Sequence, residues 1–125
     1  MKFPVLVALL VVLVAGGIGG GIWYTNSTPG ELDGFASCLG EKGAKFYGAF
    51  WCPHCANQKK LFGKSAKKLP YIECGVAGNT SAQTQVCTDA AVKSYPTWTF
   101  ADGSRLTGEI SLSELSEKTS CTLPS

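Results

Sequence analysis

The stretch FWCPHC, residues 50–55, places two cysteines two residues apart, between an apolar run and a helical pattern. The apolar run, residues 46–50, is short and rich in aromatics, which predicts a buried strand. The residues after the motif are mostly good helix formers. Pro53 suits the first helical turn, where its missing N–H would have no partner anyway. We therefore expect Cys52 at a helix N-terminus.

The position of Cys52 matters because a thiolate, not a thiol, attacks a disulfide. A helix N-terminus offers unpaired N–H groups and the positive end of the helix dipole, and both favour an adjacent anion. The dipole supplies at most about 2 kcal/mol, so His54, when protonated, is expected to add positive charge beside the sulfur. We interpret Cys52 as the nucleophile and Cys55, one turn later and less exposed, as the resolving thiol.

A CxxC pair can also be half of a zinc site, with Cys74 and Cys87 as the other half. Structural zinc sites usually show two closely spaced ligand pairs, whereas twelve residues separate these two cysteines. A purely structural disulfide within the motif is disfavoured, because closing so short a loop gives little entropic stabilisation. We therefore expect no metal and no cofactor other than the redox-active disulfide between Cys52 and Cys55.

The motif resembles that of the thioredoxin superfamily, with WCPHC after a strand and YPTW at residues 95–98. More narrowly, YGAFWCPHC at residues 47–55, with LFG at 61–63, is similar to the thioredoxin-like domains fused or paired with vitamin K epoxide reductase homologues in bacteria and archaea. The resemblance covers about residues 32–121. It implies a thiol-disulfide oxidoreductase.

The resemblance also implies roles for residues around the motif. Pro96 would be in the cis form beside the active site, and Tyr95 with the adjoining backbone would form an edge for an extended substrate. Trp51 and Trp98 either shield the sulfurs or belong to the core.

The chain departs from ordinary thioredoxins because no buried Asp precedes the motif, and Phe46 stands in that part of the strand. The group that deprotonates Cys55 is therefore open. Glu73, Lys45 and water are the candidates.

The N-terminal segment predicts a membrane anchor. Residues 3–24 carry no charge, and as a helix they would reach about 33 Å, enough to cross a bilayer core of about 30 Å. Lys2 favours a cytoplasmic N-terminus, which places the following domain outside the cytoplasm at the cell membrane. We expect residues 1–24 to be a single-pass transmembrane signal-anchor. The small residues at 15–17 leave open a cleaved signal peptide and a secreted domain.

Residues 25–30 form a polar linker, and residues 31–125 predict one α/β domain. We expect a thioredoxin-like fold, with a central mixed sheet flanked by helices, preceded by one N-terminal transmembrane helix. The predicted elements are a helix near residues 35–39, strands at 46–50, 71–74 and 97–100, a helix after the motif with a break at Gly63, a polar loop at 75–83, a helix at 84–94 with Val86, Ala90 and Ala91 inward, a hairpin turn at 101–104 and a helix capped by Ser111.

Six cysteines in a small exported domain should be mostly oxidised. With the motif pair set aside, three pairings of the other four are open. We favour Cys74 with Cys87 and Cys38 with Cys121 as structural disulfides. In the alternative, Cys74 and Cys87 form a second redox relay.

Composition sets the limits of function. The 125 residues carry a formal net charge of +2, which does not indicate nucleic-acid binding, and the lysines between residues 59 and 68 are interpreted as a solvent-exposed flank.

We predict a membrane-tethered thiol-disulfide oxidoreductase that donates disulfides to exported proteins. By the resemblance, a membrane partner of the vitamin K epoxide reductase type reoxidises it and passes electrons to a quinone. The alternatives are a disulfide reductase or isomerase, and a metal-binding chaperone or adaptor on the same fold.

Overall fold

The computed structural model describes residues 30–124. The predicted anchor at residues 1–24 and almost all of the linker at 25–30 lie outside these described residues. Between residues 30 and 124, no helix is both long enough and apolar enough to span a bilayer.

A four-stranded mixed sheet organises the domain, with the spatial order β2, β1, β5, β6. The central strand β1 (Lys45–Gly48) pairs in parallel with β2 (Tyr71–Glu73) and antiparallel with β5 (Thr97–Thr99). A tight turn then returns the chain as β6 (Arg105–Thr107), antiparallel to β5. The parallel pair requires a crossover, and the helix after the motif provides it. This mixed sheet with its helices fits the predicted thioredoxin-like fold.

Within residues 30–124, four α-helices and one 3-10 helix accompany the sheet: α1 (Asp33–Glu41), α2 (Pro53–Lys60), the 3-10 helix (Gly63–Lys68), α3 (Gln85–Asp89) and α4 (Leu112–Thr119). The predicted break after the motif helix is confirmed, since Gly63 has a φ of +53° and begins the separate 3-10 helix. The predicted cap of α4 is also confirmed, because Ser111 Oγ accepts a hydrogen bond from the Glu114 N–H at 3.2 Å.

The core packs against both faces of the central strands. Phe46 and Trp98 are fully buried, and their rings stack with centroids 4.8 Å apart. Trp98 is therefore a core residue rather than a shield for the motif sulfurs. Leu39 of α1 and Leu115 of α4 are fully buried in the same cluster.

Both disulfides favoured from the sequence are present. Cys38 bonds to Cys121 and ties α1 to the chain after α4, while Cys74 bonds to Cys87 and ties the end of β2 to α3. Cys74 and Cys87 are fully buried.

One predicted strand is shorter than expected, and one predicted loop contains two strands. The strand expected at residues 46–50 ends at Gly48, and Phe50 is 59% exposed because the chain turns there toward α2. The polar loop expected at residues 75–83 instead contains a hairpin of β3 (Gly75–Val76) and β4 (Asn79–Gln83). It lacks a buried apolar face, which is why hydrophobic periodicity did not reveal it.

The helix expected at residues 84–94 is shorter and rotated. α3 ends at Asp89, and Ala91 has a φ of +56°, which a continuing helix does not allow. Val86 and Ala91 are exposed rather than inward, because the disulfide turns the neighbouring Cys87 toward the core. Val92 is buried in their place.

Candidate active site

The redox motif lies where β1 gives way to α2. Cys52 is the N-cap residue of α2 with an extended backbone, and Pro53 occupies the first turn. The Cys52 N–H donates to the Ala49 carbonyl at 3.0 Å, which closes the turn between strand and helix. This is the helix N-terminal position that the sequence predicts for Cys52.

The two motif cysteines are free thiols, whereas the other four cysteines are in disulfides. Cys55 exposes 1% of its surface and is hydrogen-bonded to the side chain of Cys52, so the two sulfurs adjoin. Burial raises the pKa of the Cys55 thiol to about 12, and a backbone hydrogen bond with Ala49 only partly offsets it. Cys55 therefore remains protonated at neutral pH.

The loop before β5 lies directly beside Cys52. The Tyr95–Pro96 peptide bond is cis, as the resemblance implies, and the Cys52 thiol donates to the Tyr95 carbonyl at 3.8 Å. The Tyr95 hydroxyl donates to Gln83 Oε1 at 2.6 Å. The β3–β4 hairpin thus supports the loop that adjoins the motif.

Exposed aromatic side chains border the motif. Trp51 is 38% exposed and packs edge to face on Tyr95, with ring centroids 5.8 Å apart. Phe50 lies against Gly75, where a Cβ atom would be 2.7 Å from the Phe50 ring. These rings form an exposed apolar surface beside Cys52.

His54 has a partner that the sequence analysis missed. Its Nδ1 lies 2.7 Å from Oε2 of Glu109, and both side chains are exposed. This hydrogen bond lowers the pKa of the Glu109 carboxyl. Glu109 is 55 residues away along the chain, so no local pattern could indicate the pair.

A buried glutamine holds the segment that carries Glu109. Gln58, fully buried on α2, donates to the Ile110 carbonyl at 2.9 Å and accepts from the Ile110 N–H at 2.7 Å. This two-point bond fixes the chain before α4 against the motif helix. Its one sequence signal is the position of Gln58 three residues after Cys55, on the same helix face.

The side of Cys55 away from Cys52 faces β1 and β2. A Cβ atom on Gly48 would lie 3.0 Å from the Cys55 sulfur and 2.9 Å from the Tyr71 ring, so glycine permits their close approach. Lys59 Nζ lies 3.7 Å from the centroid of the Tyr71 ring. The Tyr71 hydroxyl donates to Glu73 at 3.0 Å.

These contacts narrow the candidates for the group that assists Cys55. Glu73 accepts from the backbone N–H groups of Phe50 and Gly75 and from the Tyr71 hydroxyl, and none of these hydrogen bonds involves Cys55. Lys45 is exposed and lies three strand residues, about 10 Å, from Gly48. Neither group contacts the sulfur directly.

The four-cysteine zinc site considered from the sequence is not formed, since Cys74 and Cys87 are bonded to each other and cannot act as thiolate ligands. Among residues 30–124, no three His, Cys, Asp or Glu side chains are grouped as a metal site would require.

No protein-family model matches the chain. The chain is 46% identical over 102 residues to a protein of Arabidopsis thaliana named thiol-disulfide oxidoreductase LTO1. The matched region covers 79% of this chain and 27% of that protein, so the chain spans about a quarter of its relative's length. The chain is therefore similar to part of a protein named as a thiol-disulfide oxidoreductase, and its mixed sheet with helices fits a thioredoxin-like fold.

Proposed function

We propose that the chain is a membrane-tethered thiol-disulfide oxidoreductase that donates the Cys52–Cys55 disulfide to exported proteins. One observation carries the proposal: of six cysteines, the two in the motif are free, adjoin each other and lie at a helix N-terminus. The other four are held in disulfides and leave the motif pair as the exchangeable one.

The described thiols correspond to the reduced form of the pair. In the donating direction, a substrate thiolate attacks the Cys52 sulfur, the Cys52–Cys55 bond breaks, and Cys55 leaves with the electron pair and takes up a proton. A second substrate thiolate then attacks the substrate sulfur of the mixed disulfide and expels Cys52 as a thiolate. The substrate loses two electrons and the motif gains them.

We further propose that residues 1–24 anchor the domain to the cell membrane and that the domain lies outside the cytoplasm. Two disulfides in so small a domain favour an oxidising compartment. The six-residue linker would hold the domain within about 20 Å of the bilayer. That distance suits reoxidation by a membrane partner of the vitamin K epoxide reductase type, which would pass the electrons to a quinone.

The direction of exchange is tested by equilibrating the full chain with glutathione buffers of known potential and counting free motif thiols by alkylation and mass spectrometry. The proposal predicts that the motif pair is oxidising. Its reduction potential should be nearer to about −120 mV, the value of a strong disulfide donor, than to the roughly −270 mV of thioredoxin. A potential near that of thioredoxin would refute disulfide donation and favour the reductase alternative. A variant with both motif cysteines changed to serine should show no exchange.

A further inference from the structure

We propose that Lys59 is the cation that stabilises the Cys55 thiolate when the Cys52–Cys55 bond opens. The inference rests on the proposed function and deepens it. It names a group that assists Cys55 in a chain that has no buried Asp before the motif. Lys59 acts on the reaction through Cys55 and is therefore a supporting residue rather than a catalytic one.

Helix geometry places Lys59 beside Cys55. The two residues are four apart on α2, so their side chains leave the same face of the helix about 6 Å apart. Lys59 is only partly exposed, and its ammonium group is held over the Tyr71 ring at 3.7 Å from the centroid. The same ring approaches the Cys55 sulfur across Gly48. The sulfur, the ring and the ammonium group thus form one cluster.

The burial of Cys55 disfavours its thiolate, which a nearby cation would stabilise. A thiol whose pKa is raised by burial is a poor leaving group, since exchange is faster when the leaving sulfur is more acidic. The charge of Lys59 works against the burial and lowers the pKa of Cys55.

Other ionisable groups adjoin the cluster. Cys52 caps the same helix, Tyr71 and Glu73 lie on β2, and Tyr95 lies in the loop before β5. Burial raises the pKa of Tyr71 so that it stays a neutral phenol. Glu73 is occupied by the Tyr71 hydroxyl and two backbone N–H groups.

A cavity borders the cluster on the side of Lys59 and Tyr71. It has a volume of about 430 Å³ and is lined by Lys59, Ala66, Lys67, Leu69 and Tyr71. When the disulfide opens, Cys55 takes the electron pair as a thiolate and Lys59 balances the charge, until a proton from water converts the thiolate to the thiol.

Two rates measured on the full 125-residue chain in detergent test the inference. The first is the reduction of the Cys52–Cys55 disulfide by dithiothreitol, in which Cys55 is the leaving group. The second is the alkylation of Cys55 by iodoacetamide at pH 9 in a Cys52→Ser background, which follows the thiolate fraction of Cys55. Lys59→Met and Lys59→Gln remove the charge, Lys59→Arg retains it, and Lys60→Met removes the neighbouring exposed charge as a control.

We expect Lys59→Met and Lys59→Gln to slow reduction about three- to tenfold and Cys55 alkylation about tenfold. Lys59→Arg should restore both rates, and Lys60→Met should change neither. Wild-type rates in both neutral variants, or equal slowing by Lys60→Met, would overturn the inference. If the Cys52–Cys55 disulfide of the wild-type chain does not exchange with dithiothreitol, the proposed function is refuted instead. The alkylation comparison would still decide the role of Lys59.

Discussion

Replacing Gln58 by leucine tests whether the motif helix is held to the segment before α4. Gln58 is fully buried and makes two hydrogen bonds to Ile110, one to its N–H and one to its carbonyl. Leucine has a similar volume and cannot make either bond. The change therefore leaves two polar backbone groups of Ile110, itself 6% exposed, without a partner.

The magnitude follows from those two groups. Each buried polar group left unpaired costs about 1 to 3 kcal/mol. We expect Gln58→Leu to lower the free energy of unfolding by about 2 to 6 kcal/mol, which shifts the urea midpoint on the order of 2 M. Gln58→Glu should make stability depend on pH, since a buried carboxyl must stay protonated to avoid an unpaired charge.

The assay is urea denaturation followed by tryptophan fluorescence, which the buried, stacked Trp98 reports. Lys60→Ala, an exposed change on the same helix, is the matched control and should stay within about 0.5 kcal/mol of wild type. A Gln58→Leu chain as stable as that control would show that Ile110 finds other partners and that Gln58 does not hold this segment.

Three further predictions follow from single contacts. Gly48→Ala should destabilise the domain by about 1 to 3 kcal/mol, because its Cβ would meet the Tyr71 ring and the Cys55 sulfur. Gly34→Ala, whose Cβ meets nothing within 4 Å, is the control in thermal denaturation. Removing the Cys38–Cys121 disulfide by double serine substitution should lower the free energy of unfolding by about 2 to 5 kcal/mol. The exchange of the motif cysteines with dithiothreitol should be unchanged, and its loss would contradict a purely structural role for this disulfide. Because the hydrogen bond to His54 lowers the pKa of Glu109, the ionised carboxylate stabilises the fold, and this stability is lost as pH falls below about 4.5. Glu109→Gln should therefore flatten the dependence of the urea midpoint on pH in that range. An unchanged pH dependence would argue against the bond to His54.

Local sequence patterns predicted the parts of the fold that depend on local chemistry. The N-cap position of Cys52 follows from an apolar strand, a proline and helix formers in succession, and the cap at Ser111 follows from residue spacing. The break at Gly63 follows from the conformations open to glycine.

Features that depend on tertiary contacts were missed. The His54–Glu109 and Gln58–Ile110 pairs join residues more than fifty positions apart, and no periodicity connects them. The exposure of Phe50 was missed because an apolar residue type does not show whether the side chain is buried in the core or exposed beside the active site.

The rate of alkylation of the reduced chain as a function of pH, resolved between Cys52 and Cys55 by mass spectrometry, tests the central claim most directly. We predict that Cys52 reacts before Cys55, and faster than the same residue in the urea-unfolded chain, because Cys52 lies at the N-terminus of α2. Cys55 should stay unmodified at neutral pH, because raising its pKa from 9.0 to about 12 reduces the thiolate about a thousandfold. Equal rates at the two sulfurs, or a Cys52 rate that follows the unfolded chain, would contradict the account.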